Sequence, residues 1–145
     1  MQSDKDIGIV VAAHAPLATA LVRTVTTIVP NAQLLAVDLV PSQDADGALS
    51  LMDEAVKAAD LGNGVLVLAD LFGGTAANLA LSQLGDGKVE VLTGANLAMV
   101  LDAVTHASSA VSAGKLALRA AKAAESSVVV ASALLTPSSD EIQAA

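Results

Sequence analysis

Short, unbroken aliphatic runs alternate along this chain with longer stretches in which apolar residues return at helical spacing. The runs at 7–11, 33–39, 65–69, 88–92 and 127–134 predict strands, and the stretches at 16–28, 74–84, 96–105 and 112–124 predict helices. A further helix is predicted to follow the N-cap candidates Ser42, Gln43 and Asp44 and to run to residue 60. Pro16 suits a first helical turn. Residues 61–64 and Gly85-Asp86-Gly87 read as turns.

The strand-like runs are continuously apolar rather than alternating, which is the mark of strands buried on both faces. Strand and helix in alternation imply a parallel sheet with helices packed on each side. The expectation is an α/β protein, a three-layer open and mainly parallel sheet. Its strand order is assumed to be the flavodoxin-like 2-1-3-4. Residues 1–135 are expected to form one domain, and residues 136–145, with Pro137-Ser138-Ser139, a loose tail. No internal repeat or low-complexity linker interrupts the pattern.

Composition narrows the classes of function. Of 145 residues 54% are apolar, mostly Ala, Val and Leu with a single Phe and no Tyr or Trp, so the core is aliphatic and stacking on nucleobases is nearly excluded. Seven basic against fifteen acidic residues leave a net charge of −8, which repels nucleic acid and anionic membranes and favours a basic protein partner. The absence of cysteine removes disulfides, thiolate catalysis and thiolate metal sites, and fits a reducing cytoplasm. The N-terminus is polar and acidic, unlike a signal peptide. No apolar run approaches the roughly 20 residues of a membrane span. The expected location is therefore the cytoplasm, without direct membrane insertion.

Candidate chemistry collects where ligands bind in open parallel sheets, outside the carboxyl ends of strands at the point where the order reverses. His14 follows the first strand, and Asp70 follows the third, leading into Gly73-Gly74-Thr75. In the assumed order the two share a crevice. A carboxylate bonded to one ring N–H fixes the tautomer of His14 and leaves the other nitrogen as a nucleophile able to take a phosphoryl group. Gly73 and Gly74 permit close backbone approach, and the first amides of the next helix with the Thr75 hydroxyl are candidates to hold phosphoryl oxygens.

Each residue alone has a plainer reading: a structural histidine, a turn-capping aspartate, a glycine turn. Their convergence carries the chemistry. His106 reads as an exposed helix-end residue. Two histidines without cysteine make a transition-metal site improbable, and no cofactor is expected. A Walker loop would need a Lys after its glycines. A receiver domain would need an acidic pair after the first strand and a Lys after the last, and neither is present.

At these residues the chain resembles the mannose-family enzyme IIA of the bacterial phosphoenolpyruvate-dependent sugar phosphotransferase system, over about its first 105 residues. Gly8-Ile9-Val10-Val11-Ala12-Ala13-His14 is similar to the segment around the phosphorylated histidine. Asp38-Leu39-Val40-Pro41 resembles the second strand and its loop. Asp70-Leu71-Phe72-Gly73-Gly74-Thr75-Ala76-Ala77-Asn78 resembles the Asp-x-x-Gly-Gly-Ser/Thr-x-x-Asn motif, and Gly94-Ala95-Asn96-Leu97-Ala98-Met99 the Gly-x-Asn-x-x-Met segment. The dihydroxyacetone-kinase phosphotransfer subunit, a relative on this fold, usually has Met-Gly-Ser at the glycine turn, so the mannose type is favoured. Ala15 and Pro16 replace the Gly common after the histidine, and Ala98 a frequent Pro.

The resemblance implies that His14 takes phosphate from the histidine phosphocarrier protein HPr and passes it to an enzyme IIB partner for carbohydrate uptake. It implies that Asp70 orients His14, and that Gly73, Gly74 and Thr75 bind the phosphoryl group. It also implies a homodimer, often with an exchanged C-terminal strand, for which residues 127–134 are the antiparallel candidate. The alternative is a regulatory module whose phosphorylation state signals through protein contacts without sugar transport.

Overall fold

A computed structural model describes residues 6–85 and 87–135. Four strands, β1 (Gly8–His14), β2 (Leu35–Leu39), β3 (Val65–Ala69) and β4 (Val89–Thr93), form one parallel sheet in the order β2-β1-β3-β4. Five helices connect and cover them: α1 (Leu17–Ile28), α2 (Ala45–Ala59), α3 (Thr75–Leu81), α4 (Leu97–His106) and α5 (Ala113–Ser127). The three-layer architecture and its strand order agree with the reading of the sequence.

Double-sided burial explains the aliphatic runs. Ile9, Val11, Ala13, Leu66 and Leu68 point into a core shared with α1, α4 and α5. The residues between them, Val10, Ala12, Val65, Val67 and Ala69, point into a second core under α2 and α3. Alanines dominate the helix faces that meet the sheet, Ala76, Ala77 and Ala80 on α3 and Ala117, Ala120 and Ala124 on α5. Their small side chains let the helices pack closely without aromatic filler.

Capping residues set most helix starts. The Asp44 side chain accepts from Gly47 N at 2.6 Å, Asn96 from Met99 N at 2.9 Å and Ser112 from Lys115 N at 3.1 Å. The first helix differs. Its N-cap is Pro16, which follows a cis peptide bond, and no residue of its own caps it.

Several boundaries depart from expectation, with β2 starting at Leu35 rather than at 33 and α3 ending at Leu81 rather than near 84, and two further departures stand out. The first strand runs beyond residue 11 to His14, because the β1–β2 ladder continues to the pair His14–Leu39. The predicted last strand at 127–134 is not a strand in the described chain. Here α5 continues to Ser127, residues 128–130 join no strand among the described residues, and Ala131–Leu135 forms a 3-10 turn. Its β-branched residues favour a strand, but a strand also needs a neighbour to complete its ladder. Val128, Val129, Val130, Leu134 and Leu135 are left exposed. The tail expected at 136–145 lies outside the described residues.

Candidate functional site

The parallel ladder between β1 and β3 sets Ala12 opposite Ala69, so the next residues of both strands emerge together at the carboxyl end of the sheet. His14 ends β1 on the face that carries Ala12, towards α2 and α3. Asp70 follows β3 directly. The sequence expectation that these two residues meet holds in the structure.

One carboxylate oxygen of Asp70, Oδ2, accepts from the backbone N–H of His14 at 2.9 Å and lies 2.7 Å from His14 Nδ1. The other, Oδ1, accepts from Leu71 N at 2.9 Å. The side chain of Asp70 is 7% exposed and that of His14 is 53% exposed, so the pair presents a ring to solvent on a buried anchor. Burial alone would raise the Asp70 pKa. The backbone N–H of His14, its ring, the backbone N–H of Leu71 and the imidazole charge outweigh burial and hold Asp70 below the ordinary carboxylate value.

The ionised carboxylate can only accept, so the proton of the neutral imidazole belongs on Nδ1. Nε2 is then left with its lone pair free, and it is the nitrogen remote from Asp70. Chemically such an arrangement can serve as a nucleophile with a fixed tautomer, and with a counter-charge for the imidazolium character that develops when Nε2 forms a bond.

The glycine turn lies against the same ring. A Cβ placed on Gly74 would stand 3.5 Å from His14 Cε1 and 3.4 Å from the Leu71 carbonyl oxygen, ordinary van der Waals contact, so this glycine lies directly beside the ring edge. Gly73 has φ +81°, a left-handed conformation that side-chain-bearing residues rarely adopt. Asn78 N donates to Gly74 O at 3.0 Å, and Asn78 Nδ2 reaches Gly73 O at 3.5 Å. Gly74 is the N-cap of α3, whose first turn has neither a side-chain cap nor an acidic residue. Thr75, its first residue, is exposed. The loop after β4 is tied under the site by Ala95 N donating to Ala69 O at 2.9 Å.

His106 stands apart from this group. It closes α4, and its Nδ1 faces the Asp102 carbonyl at 2.9 Å and the Asp102 carboxylate at 3.3 Å, leaving the ring partly buried rather than exposed as expected. Exposed apolar side chains occur in the chain segments that flank His14 and Asp70. Leu17, Val40, Leu71 and Phe72 are all exposed, Phe72 at 84%. Sequence reading did not single out this apolar set, and the one available signal was a lone Phe beside a glycine turn.

A family model described as the phosphotransferase system fructose IIA component, EIIA-man, matches residues 8–121. The mannose/sorbose-specific IIA subunit from Enterococcus faecalis superposes with a TM-score of 0.77 at 27% identity, covering 86% of this chain and 94% of that one. The IIA protein associated with the fucose utilization operon of Streptococcus pneumoniae shares the fold, with a TM-score of 0.80 at 23% identity over 93% of this chain and all of that one (100%). The transcriptional regulatory protein LevR of Bacillus subtilis (strain 168) is 29% identical over 105 residues, 72% of this chain. This chain spans 11% of LevR's length.

Proposed function

Because this chain belongs to the mannose-type enzyme IIA family of the phosphotransferase system, a family of phosphocarriers, we propose that His14 is its phosphoryl acceptor. The observation that carries the proposal is the Asp70–His14 pair, at 2.7 Å, with Nε2 left open. In the reaction the Nε2 lone pair attacks the phosphorus of a phosphohistidine on the donor, HPr. The donor's N–P bond breaks and its electron pair returns to the donor imidazole. His14 then carries phosphate on Nε2 and a proton on Nδ1, and Asp70 balances the resulting positive ring. Gly73 and Thr75 offer backbone and hydroxyl donors to the phosphoryl oxygens, and Gly74, whose N–H donates to Leu71 O at 3.3 Å, brings the turn against the phosphoryl group. A second transfer of the same kind passes the group to a IIB partner for carbohydrate uptake.

The exposed apolar residues in the segments beside His14 and Asp70, Leu17, Val40, Leu71 and Phe72, support docking of protein partners rather than capture of a small substrate. The reading takes residues 1–135 as one phosphocarrier domain, with residues 136–145 as its tail, working in the cytoplasm where HPr would reach it. No described helix is long and apolar enough to cross a membrane. It also takes the protein as a homodimer in which the exposed valines at 128–130 of each chain meet β4 of the other. The exposure of these valines and a crevice of about 440 Å³ along β4, lined by Val91, Leu92 and Leu118, support that contact.

Incubation with phosphoenolpyruvate, enzyme I and HPr is expected to add one phosphate to the protein and none to His14→Ala. Equal labelling of both would refute the assignment. The similarity to LevR favours a second reading, in which phosphorylation of His14 controls a regulatory contact. Transfer from the phosphorylated protein to a IIB protein supports the transport reading. Phosphorylation-dependent capture of a regulator without such transfer supports the second.

A further inference from the structure

His14 is followed by only two residues before α1 begins, so whatever holds the first turn of α1 also holds the exit of the strand that carries the nucleophile. That turn has no support of its own. Its N-cap is Pro16, which has no side-chain acceptor, and its first turn contains no acidic residue. Helices begin with backbone N–H groups that need acceptors, and an uncapped start frays.

The missing acceptor comes from the neighbouring strand. Asp38 on β2 pairs in register with Ala13, the residue before His14. Its Oδ1 accepts from Thr19 N at 3.2 Å, and its Oδ2 accepts from the Thr19 hydroxyl. Thr19 N is the third amide of α1, the one that an N-cap side chain ordinarily satisfies. Between these points Ala15 N donates to Leu39 O at 2.9 Å, which carries the β1–β2 ladder one step past His14. The segment from His14 to Thr19 is thus tied at three places, to Asp70, to Leu39 and to Asp38.

We propose that Asp38, acting through Thr19, is a positioning residue for His14: it caps α1 from the adjacent strand and so fixes the backbone from which the nucleophilic ring projects. The two aspartates divide the task by the pleat of the sheet. Asp70 engages the backbone N–H and ring of His14, while Asp38 lies on the Ala13 face, towards α1. A ring that must present Nε2 in line with a donor's N–P bond loses rate steeply when its backbone drifts. The Asp38 carboxylate also occupies the positive end of α1.

This inference rests on the reading of His14 as phosphoryl acceptor, and two separate measurements keep the two distinguishable. The first needs no donor: amide hydrogen exchange at His14 and Ala15 in wild type, Thr19→Val, Asp38→Ala, Asp38→Asn and the double variant Thr19→Val/Asp38→Ala. The second is phosphoryl transfer from phosphorylated HPr, with kcat and KM separated.

Loss of a single exposed cap is expected to speed exchange at the two amides about 5-fold in Asp38→Ala. In the same variant kcat is expected to fall about 5-fold with KM unchanged. Thr19→Val keeps the charge and the amide bond and should lie between Asp38→Ala and wild type. Asp38→Asn keeps an oxygen acceptor and should recover most of both losses. The double variant should be no worse than Asp38→Ala, since both changes break one link. Wild-type exchange at His14 and Ala15 in Asp38→Ala overturns the proposal. So does equal acceleration along the whole of α1, which would mark general loosening, and so does faster exchange with unchanged kcat. If wild type accepts no phosphate, the functional reading of His14 fails while the exchange data still decide whether Asp38 holds its backbone.

Discussion

Replacing Asp70 with Asn tests the centre of the site with a change of almost no volume. Asp70 accepts from His14 N, His14 Nδ1 and Leu71 N, and its side chain is 7% exposed. The single Asn oxygen can replace Oδ2 towards His14, but the amide NH2 then faces Leu71 N–H, which loses its acceptor, so the turn after β3 must be checked along with the rate. What is lost is the negative charge facing Nδ1 as the ring becomes positive during transfer. A hydrogen bond to a charged group contributes about 1.5–3 kcal/mol. The His14 ring is 53% exposed and partly screened, which favours the lower end, about 1.5–2 kcal/mol.

At roughly 1.4 kcal/mol per decade the expected loss is about 10- to 30-fold in the rate of phosphoryl transfer. Rapid-quench measurement of His14 labelling from phosphorylated HPr reads this rate, and circular dichroism checks that the fold survives. A rate within a factor of about two of wild type, in a folded protein, would show that the carboxylate supports no charge in the transition state. The orienting role of Asp70 would then be withdrawn.

Three further outcomes are expected. Because Asp70 titrates below the ordinary carboxylate value in the folded protein, its contribution to stability is complete above the unfolded-state pKa and is lost as pH falls through the lower folded value; chemical-denaturation midpoints should decline over that acidic interval in wild type and less steeply in Asp70→Asn. A Cβ on Gly8 would sit 2.1 Å from the Ala59 carbonyl oxygen, so Gly8→Ala must push β1 and α2 apart, and urea titration should register a loss of about 1–3 kcal/mol. Phe72 is 84% exposed, so Phe72→Ala should leave the melting temperature unchanged while raising KM for the phosphorylated donor; an unchanged KM would remove Phe72 from the docking surface.

Much of the fold was legible because its signals are local. Asp44, Asn96 and Ser112 cap helices through amides three residues away, a relation that spacing alone reveals. The α1 start was not legible in this way, since its acceptor, Asp38, is 19 residues from Thr19 and reaches it only through the pairing of β1 with β2. His14 and Asp70 were legible as candidates because each ends an aliphatic run. Their separation of 56 residues meant that contact depended on a strand order the sequence left as an assumption.

Residues 128–130 mark the limit from the other side. Three consecutive valines argue for a strand from side-chain shape, yet in the described chain they pair with no strand. Four of the five predicted strands, the helices, the two-sided aliphatic core, the glycine turn and the candidate site residues could be read along the chain, because period, capping and backbone freedom act over a few residues. Folding in three dimensions settles which strands lie side by side, that Asp70 holds both the backbone and the ring of His14, that Asp38 caps α1, and that the valines find no strand partner among the described residues. These relations are ladder hydrogen bonds and cross-strand contacts, and their partners are brought together by the packed sheet rather than by distance along the chain.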